Sequence, residues 1–405
     1  MQVLAETRRI KLAKWLDEYV AGALIAFMQS FVRRNRNTEA PCQRILVIKF
    51  WGLGSIMLCE PALRYLRQTY PQARLDFLTL QQNQELFALM PYVDRVHVLE
   101  FGSLWKFMRS LPQQFSHLKK QKYDLIFDAE FFANFSALLA RALSPANLAG
   151  FSRPGGRKQS LLDVAVPFVD HQHAVKNFLR LVASARGVAD MPCDPEELHP
   201  RLPAPPNNPF VSDTPYAIIN VNASPLALER RWPQENFLQL ARWLLREFDT
   251  NLILIGNRAE RAYTQAVATA LGKPGRVHNL AGDLNLRQLA ELLAGAALLI
   301  SNDSGPLHLA AALHKPVVGF YGPETPQRFG PLCPKKLVFY LGLPCSPCMS
   351  VDNAKTVNCT NHLRCMRDLR VEMVIPKLQA FIETHRLLSP RERKLSLTIA
   401  QTEPA

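Results

Sequence analysis

Residues 300–331 read ISNDSGPLHLAAALHKPVVGFYGPETPQRFGP, and the alternation of apolar runs and turn-formers in this stretch decides the fold. The apolar run from Ala297 to Ile300 predicts a buried strand, and Asn302, Asp303, Ser304 and Gly305 follow as turn and cap residues. Pro306 suits a first helical turn, where a missing N–H costs nothing. The helix should run to about Leu313, break at His314-Lys315-Pro316, and give way to a strand over Val317 to Tyr321. Ala310, Ala311 and Ala312 would let it pack close to a sheet. A helix that starts at the carboxyl end of a strand gathers unpaired N–H groups and the positive end of its dipole, so the place suits a phosphate. Ser304 and His308, four apart on one face, would add polar donors beside it. Taken alone, the segment reads first as an ordinary Asp/Ser-capped helix.

Outward from this unit the same alternation continues. Upstream come a strand at Tyr216 to Val221, a helix at Gln234 to Glu247, a strand at Asn251 to Ile255, and helices at Arg258 to Leu271 and Leu286 to Ala294. A proline-rich stretch, Pro192 to Pro215, reads as a linker. Before it, Ile45 to Phe50 is an apolar strand, Trp51-Gly52-Leu53-Gly54 a glycine loop, Ser55 to Tyr70 a helix, and Arg74 to Leu80 a strand, with more strands at Val96 to Leu99 and Asp124 to Asp128. Such alternation predicts α/β domains with largely parallel sheets covered on both faces. The expected divisions are residues 1–40, 41–200, 210–388 and a polar, loose tail over 389–405. Two doubly wound domains in series leave a cleft between them for a ligand.

At 405 residues, 48% hydrophobic and 20% charged, the chain is globular and long enough for two cores. A net charge of +14 favours an anionic partner: a phosphorylated substrate or an acidic membrane surface. With no RNA-binding sheet signature, zinc-finger array or long basic run, nucleic acid is not the expected partner. Residues 1–40 carry Leu12, Trp15, Leu16, Tyr19, Val20, Leu24, Phe27, Met28 and Phe31 at helical spacing. Basic residues flank them: Arg8, Arg9, Lys11 and Lys14 before, Arg33, Arg34 and Arg36 after. The apolar run Tyr19 to Met28 is too short to span a bilayer, and Asp17 and Glu18 sit badly in a signal peptide. An amphipathic helix in the interface of an anionic membrane fits, as does a helix packed on its own protein or on a second subunit.

The glycine loop Lys49-Phe50-Trp51-Gly52-Leu53-Gly54-Ser55 lacks the third glycine of a dinucleotide fingerprint and the Gly-Lys-Ser/Thr of a P-loop. That argues against a dinucleotide oxidoreductase. Beyond these readings, KFWGLGSIMLCEPALRYLRQTYPQARLDFLT (49–79) resembles the amino-terminal signature of glycosyltransferase family 9, which includes the bacterial lipopolysaccharide heptosyltransferases. ISNDSGPLHLAAALHKPVVGFYGP (300–323) resembles that family's donor motif. ERRWPQENFLQLARWL and LAGDLNLRQLAELLAGA, between them, are similar to its Trp-Pro segment and to the approach to the donor motif. Order and spacing carry the likeness over roughly residues 43–375.

The resemblance implies a GT-B fold, two Rossmann-like domains facing across a cleft. It also implies inverting sugar transfer from a nucleotide diphosphate sugar, typically ADP-heptose, to a lipopolysaccharide-core glycolipid or oligosaccharide. The enzyme would be peripheral on the cytoplasmic face of a bacterial membrane, and its chemistry would require no metal cofactor. Asp303, Ser304, Gly305 and His308 fall on the donor motif, and Arg230 or Arg231 falls where the family carries a phosphate ligand. Glu260 is a looser match to a ribose-binding acid, with a surface helix residue as the alternative.

After the second glycine the family carries Asp, its presumed base, where this chain has Ser55. A serine hydroxyl is no equivalent base at neutral pH, so another carboxylate serves or catalysis is lost. Glu130, at the end of an apolar strand, is the preferred candidate base; Asp128 reads as structural and Glu60 as a weaker alternative. A catalytically silent sugar-nucleotide- or glycan-binding protein is the competing function. Finally, Cys345, Cys348, Cys359 and Cys365 form a cluster within loop 345–365 that could close on structural zinc or iron, or remain reduced or disulfide-linked.

Overall fold

The strands form where β-branched and long aliphatic residues run without interruption, because these strands are covered on both faces. In a computed structural model, six of them make one parallel sheet: β1 (Arg44–Ile48), β2 (Arg74–Leu80), β3 (Arg95–Leu99), β4 (Leu125–Asp128), β5 (Asn147–Ser152) and β6 (Val164–Pro167). A second parallel sheet of six comprises β7 (Tyr216–Asn220), β8 (Asn251–Leu254), β9 (Val277–Asn279), β10 (Leu298–Asn302), β11 (Val317–Tyr321) and β12 (Lys336–Tyr340). The structure describes residues 15–28, 42–185, 194, 196–223, 227–351, 357 and 359–391, apart from 102, 132, 154, 206, 209, 211 and 274.

The orders are β3-β2-β1-β4-β5-β6 and β12-β11-β10-β7-β8-β9. Each sheet therefore reverses its winding once, between β1 and β4 and between β7 and β10. At such a reversal the outgoing loops diverge and leave a crevice beyond the carboxyl ends of the strands.

Two local expectations are revised. The single helix predicted from Ser55 to Tyr70 is two, Leu53–Leu58 and Glu60–Thr69. Pro61 supplies no N–H to the carbonyl of Met57 and its ring crowds that turn, so the helix breaks at Cys59. The segment Arg258 to Leu271 begins as a tight turn, Arg258–Glu260, before the helix Arg261–Leu271.

The N-terminal segment is helical, π-wound over Leu16–Ala21 and α-helical over Gly22–Met28. It packs on its own protein. Ile25 is fully buried with Ala137 and Leu161. The Asp17 carboxylate accepts the backbone N–H groups of Asn134 (3.0 Å) and Phe135 (2.7 Å). It thereby caps the helix Asn134–Ala142, which has no side-chain cap of its own at Ala133. The opposite face stays bare: Trp15, Leu16, Tyr19, Val20, Leu24 and Phe27 are all exposed. No helix among the described residues is long and apolar enough to cross a membrane. Leu12, Phe31, the flanking basic residues at 8, 9, 11, 14, 33, 34 and 36, and the tail beyond Arg391 lie outside the described residues.

Several contacts close the two sheets onto one another. The linker's Arg201 N–H donates to Glu60 (2.9 Å), and its Leu202 N–H donates to the Ala312 carbonyl (2.9 Å). Glu85 accepts the Leu286 N–H (2.9 Å). Arg328 binds Asp170 (3.4 Å).

Replacing Asp17 with Ala should cost about 1 kcal/mol, the usual worth of a helix cap. The check is the urea midpoint, and an unchanged midpoint would show that the borrowed cap contributes nothing.

Candidate active site

At the end of β1 the chain must leave a buried sheet through a sharp turn. Gly52 makes it at φ 84°, a left-handed conformation that suits glycine. The exposed N–H groups of this turn are satisfied from β4: Glu130 Oε1 accepts from Phe50 (2.5 Å) and Trp51 (2.8 Å). Glu130 Oε2 lies 3.6 Å from the ammonium of Lys49, whose side chain is almost wholly buried. Asn83 donates to the Phe50 carbonyl (2.9 Å) and holds the loop from the other side. Lys158 ties Asp128 (2.8 Å) to the Glu130 carbonyl (2.7 Å).

The Glu130 carboxylate is thus shared between two backbone N–H groups and a buried ammonium, and it organises the glycine loop. Glu60 is buried and faces Arg64 (3.4 Å) and the linker at Arg201, so its carboxylate is engaged there. Burial pushes its pKa up. Asp128 is also pushed up by burial, and its bonds to Lys158 and Ser136 (2.9 Å) are structural. Ser55 is buried at the first turn of the helix Leu53–Leu58.

At the end of the second sheet, Asp303, Ser304 and Gly305 lead from β10 into the helix Gly305–Ala312, for which no side chain acts as cap. The Ser304 hydroxyl turns instead to Asn220 (2.9 Å) and Ser301 (2.9 Å). Asp303 accepts from Arg230 (3.0 Å), and His308 Nε2 lies 3.9 Å from the same carboxylate. The Trp-Pro segment is locked in place by its backbone and its ring. Trp232 N–H donates to Asn302 (2.9 Å), and its indole donates to the Leu369 carbonyl (2.6 Å) and stacks on Phe320. This anchoring sets the two preceding arginines apart. Arg230 reaches Asp303, while Arg231 lies over the Tyr263 ring (4.4 Å) and donates to Asn222 (3.5 Å). Glu260 accepts from the Asn257 N–H (2.8 Å) in a capping box, so its carboxylate serves the turn it starts.

The two ends meet. A methyl group on Gly54 would lie 2.5 Å from His308 Cδ2, and one on Gly305 would lie 3.1 Å from Leu53. Two helix N-termini, one from each sheet, therefore face one another in contact. Beside them, His173 bonds through Nε2 to the Gly330 carbonyl (3.0 Å), and burial pushes its pKa down to about 4.

Cys345, Cys348, Cys359 and Cys365 line one small pocket with Pro323 and Arg364. Burial and the three neighbouring thiols push Cys365 up to about 11. Leu363 N–H donates to Cys359 Sγ (3.2 Å), and Asn361 to Cys345 Sγ (3.5 Å). No group of three or more His, Cys, Asp or Glu placed to hold a metal ion occurs among the described residues.

Sequence reading missed Lys49, Lys158, Asn220, Asn222 and His173. A lone lysine closing the run ILVIK, and asparagines closing YAIIN, were the available signals.

Gly54→Ala should cost about 1–3 kcal/mol, the usual penalty of overpacking. An unchanged denaturation midpoint would mean the two helices do not approach this closely.

Comparison with known proteins bears on the family and the fold. The model for "Glycosyltransferase family 9 (heptosyltransferase)" matches residues 112–357. Lipopolysaccharide heptosyltransferase 1 of Pseudomonas aeruginosa is 27% identical over 321 residues, covering 76% of this chain and 86% of that one. Lipooligosaccharide heptosyltransferase 2 of Haemophilus ducreyi is 25% identical over 321 residues, covering 74% and 88%. The structure of Escherichia coli ADP-heptose lipopolysaccharide heptosyltransferase II superposes with a TM-score of 0.68 at 22% identity, covering 85% of this chain and all of that one. The shared architecture is GT-B, as the sequence led us to expect.

Proposed function

The chain belongs to glycosyltransferase family 9, a family of sugar-transferring enzymes, and we propose that it moves a heptose or related sugar from a nucleotide diphosphate sugar to a cell-envelope glycan. ADP-heptose is the donor suggested by the relatives, and a lipopolysaccharide-core glycolipid the acceptor. The observation that carries this reading is the contact between Gly54 and His308, which joins a phosphate-friendly helix end to the glycine loop where two sheets reverse.

In a single displacement with inversion, the departing diphosphate needs positive potential and the acceptor hydroxyl must lose a proton. The N-terminus of the helix Gly305–Ala312, His308 and Arg230 converge on one side of the cleft and serve the diphosphate. Arg231, over Tyr263, is placed to take the outer phosphate or the nucleoside. No metal is needed for these steps. On the other side, Glu130 and Lys49 hold the loop against which the acceptor would rest. The exposed face from Trp15 to Phe27 fits the interface of an anionic membrane and would place the enzyme peripherally on its cytoplasmic side.

A second reading is a silent binding protein, favoured by Ser55 and by the engaged carboxylate of Glu130. Release of ADP from ADP-heptose, dependent on added lipopolysaccharide-core acceptor, separates the two. Stabilisation by ADP without any release would establish the silent reading and sink the enzymatic one.

Glu130→Gln removes the charge opposite buried Lys49 and should cost about 3–5 kcal/mol, with donor affinity and turnover falling together. A loss confined to kcat, with stability and donor binding intact, would instead give Glu130 the base role.

The cysteine pocket supports a structural role. We propose that zinc or iron would pin loop 345–365, with no part in the chemistry, by drawing together cysteines that line one pocket but are not placed as a metal-holding group among the described residues. Metal analysis of anaerobically purified protein tests this, and less than roughly 0.1 equivalent would end the metal reading.

A further inference from the structure

Gln327, Arg328, Phe329 and Gly330 are consecutive, and each touches the half of the molecule built on the first sheet. Gln327 Nε2 donates to the His171 carbonyl (3.1 Å). Arg328 Nε donates to the Asp170 carbonyl (3.2 Å) and pairs with its carboxylate (3.4 Å). The Phe329 ring meets the Phe131 ring edge-on, with centroids 6.1 Å apart. The Gly330 carbonyl accepts from His173 Nε2 (3.0 Å). This turn is held just as firmly in its own half. The Thr325 hydroxyl caps it by accepting the Gln327 N–H (3.2 Å). Glu324 (3.0 Å) and the Met349 carbonyl (3.1 Å) fix the Arg328 guanidinium. Tyr321, at the end of β11, donates its hydroxyl to the Phe329 carbonyl (2.9 Å). The same strand carries the donor motif beside it, since the Asp303 N–H donates to the Phe320 carbonyl (3.1 Å).

The partner ring, Phe131, sits at the support of the glycine loop. It follows Glu130, whose carboxylate accepts the N–H groups of Phe50 and Trp51. Its ring lies against the Lys49 ammonium (4.4 Å) and packs on Phe168 (centroids 4.9 Å) and Phe178 (5.7 Å). Lys49 in turn faces Glu130. A shift of the Phe131 ring therefore acts on both charges that fix the loop. Close-packed side chains move between discrete arrangements and do not yield continuously, so a displacement at Phe329 is passed on. The contact of Gly54 with His308 joins the donor motif to the helix after the loop, whereas Phe329 joins it to the loop's support at the end of β4.

We propose that Phe329 is a positioning residue for sugar transfer: seated on Phe131, it passes the state of the donor motif to the glycine loop through Lys49 and Glu130. Donor binding in the second sheet then sets the form of the loop on the first. The inference rests on the transferase reading above and names the element that ties its two sides together.

The test uses the full chain labelled with fluorotryptophan, with ADP as the probe. Trp51 lies in the loop itself, and its fluorine NMR signal is assigned by its loss in Trp51→Phe. Titration calorimetry gives the ADP affinity separately. In the wild type ADP should bind and shift the Trp51 signal. In Phe329→Leu the affinity should stay within about twofold while the Trp51 shift falls about three- to tenfold, the worth of one aromatic pair. Turnover should fall by the same factor in kcat, with the donor KM held. In a Phe131→Leu background the Phe329 substitution should add nothing, because the pair is already broken. Asp170→Arg, at an exposed position, sets a cation against Arg328 and should reproduce the loss with both cores intact. An undiminished Trp51 shift in Phe329→Leu and Asp170→Arg would overturn the proposal, as would additive losses from the two phenylalanine substitutions. A fall in ADP affinity that matches the fall in shift would make Phe329 a prop of the donor site and overturn it too. Bound ADP with no wild-type shift at Trp51 removes this inference alone, whereas failure to bind ADP removes the donor reading on which it stands.

Discussion

The structure depends on the absence of a side chain at Gly54. Two helices begin at the carboxyl ends of opposing sheets and lie against one another at their first turns, at a separation that leaves no room for a methyl group on Gly54 beside His308. Both dipoles direct positive potential into the same small volume. Like ends held this close repel one another, so other contacts must keep the arrangement together. The linker bonds to Glu60 and Ala312, the contact of Glu85 with Leu286, and the Arg328–Asp170 pair fill that role around the edge of the cleft.

Around that centre the buried charges form a chain. Lys49 faces Glu130, Glu130 holds the N–H groups of the glycine loop, and Lys158 spans Asp128 and the Glu130 backbone. Each buried ion has a partner, which is the condition for keeping it charged at low cost. The donor side instead uses neutral amides. Asn220, Asn222 and Asn302 connect strand ends to the Trp-Pro segment, whose charged groups are Arg230, paired with Asp303, and Arg231, laid over Tyr263.

Much of this was legible in the chain. The central strands β1, β7, β10 and β11 are continuous apolar runs, and β11 falls on the expected bounds Val317–Tyr321. Asn147–Ser152, inside the first sheet, was not legible, because it contains glycine and polar residues, and neither was the edge strand Val277–Asn279, which is only three residues long. Asp303, Ser304, His308 and Arg230 could be nominated from spacing and family likeness, and they do assemble. The engagement of Glu130 and Glu60 could not be read, whereas Glu260 follows Asn257 at the spacing of a capping box. A carboxylate's role depends on which backbone N–H groups the fold brings to it, and those come from residues as far off as Phe50 and Arg201. The N-terminal helix shows the same limit: its periodicity was plain, while its seat on Ile25 and Asp17 depends on the helix Asn134–Ala142.

That seat has a geometric consequence. A helix joined by a slack tether lets the body behind it tumble, so that a cleft finds its target only by chance encounter. Here the helix is fixed at one end by Asp17 and along its length by Ile25. Any plane that meets its outer face also sets the tilt of the first sheet and the height of the cleft above that plane. On the membrane reading proposed above, the segment would act as a bearing that sets orientation, and lengthening or turning it by a residue would swing the cleft away without altering a single group inside it.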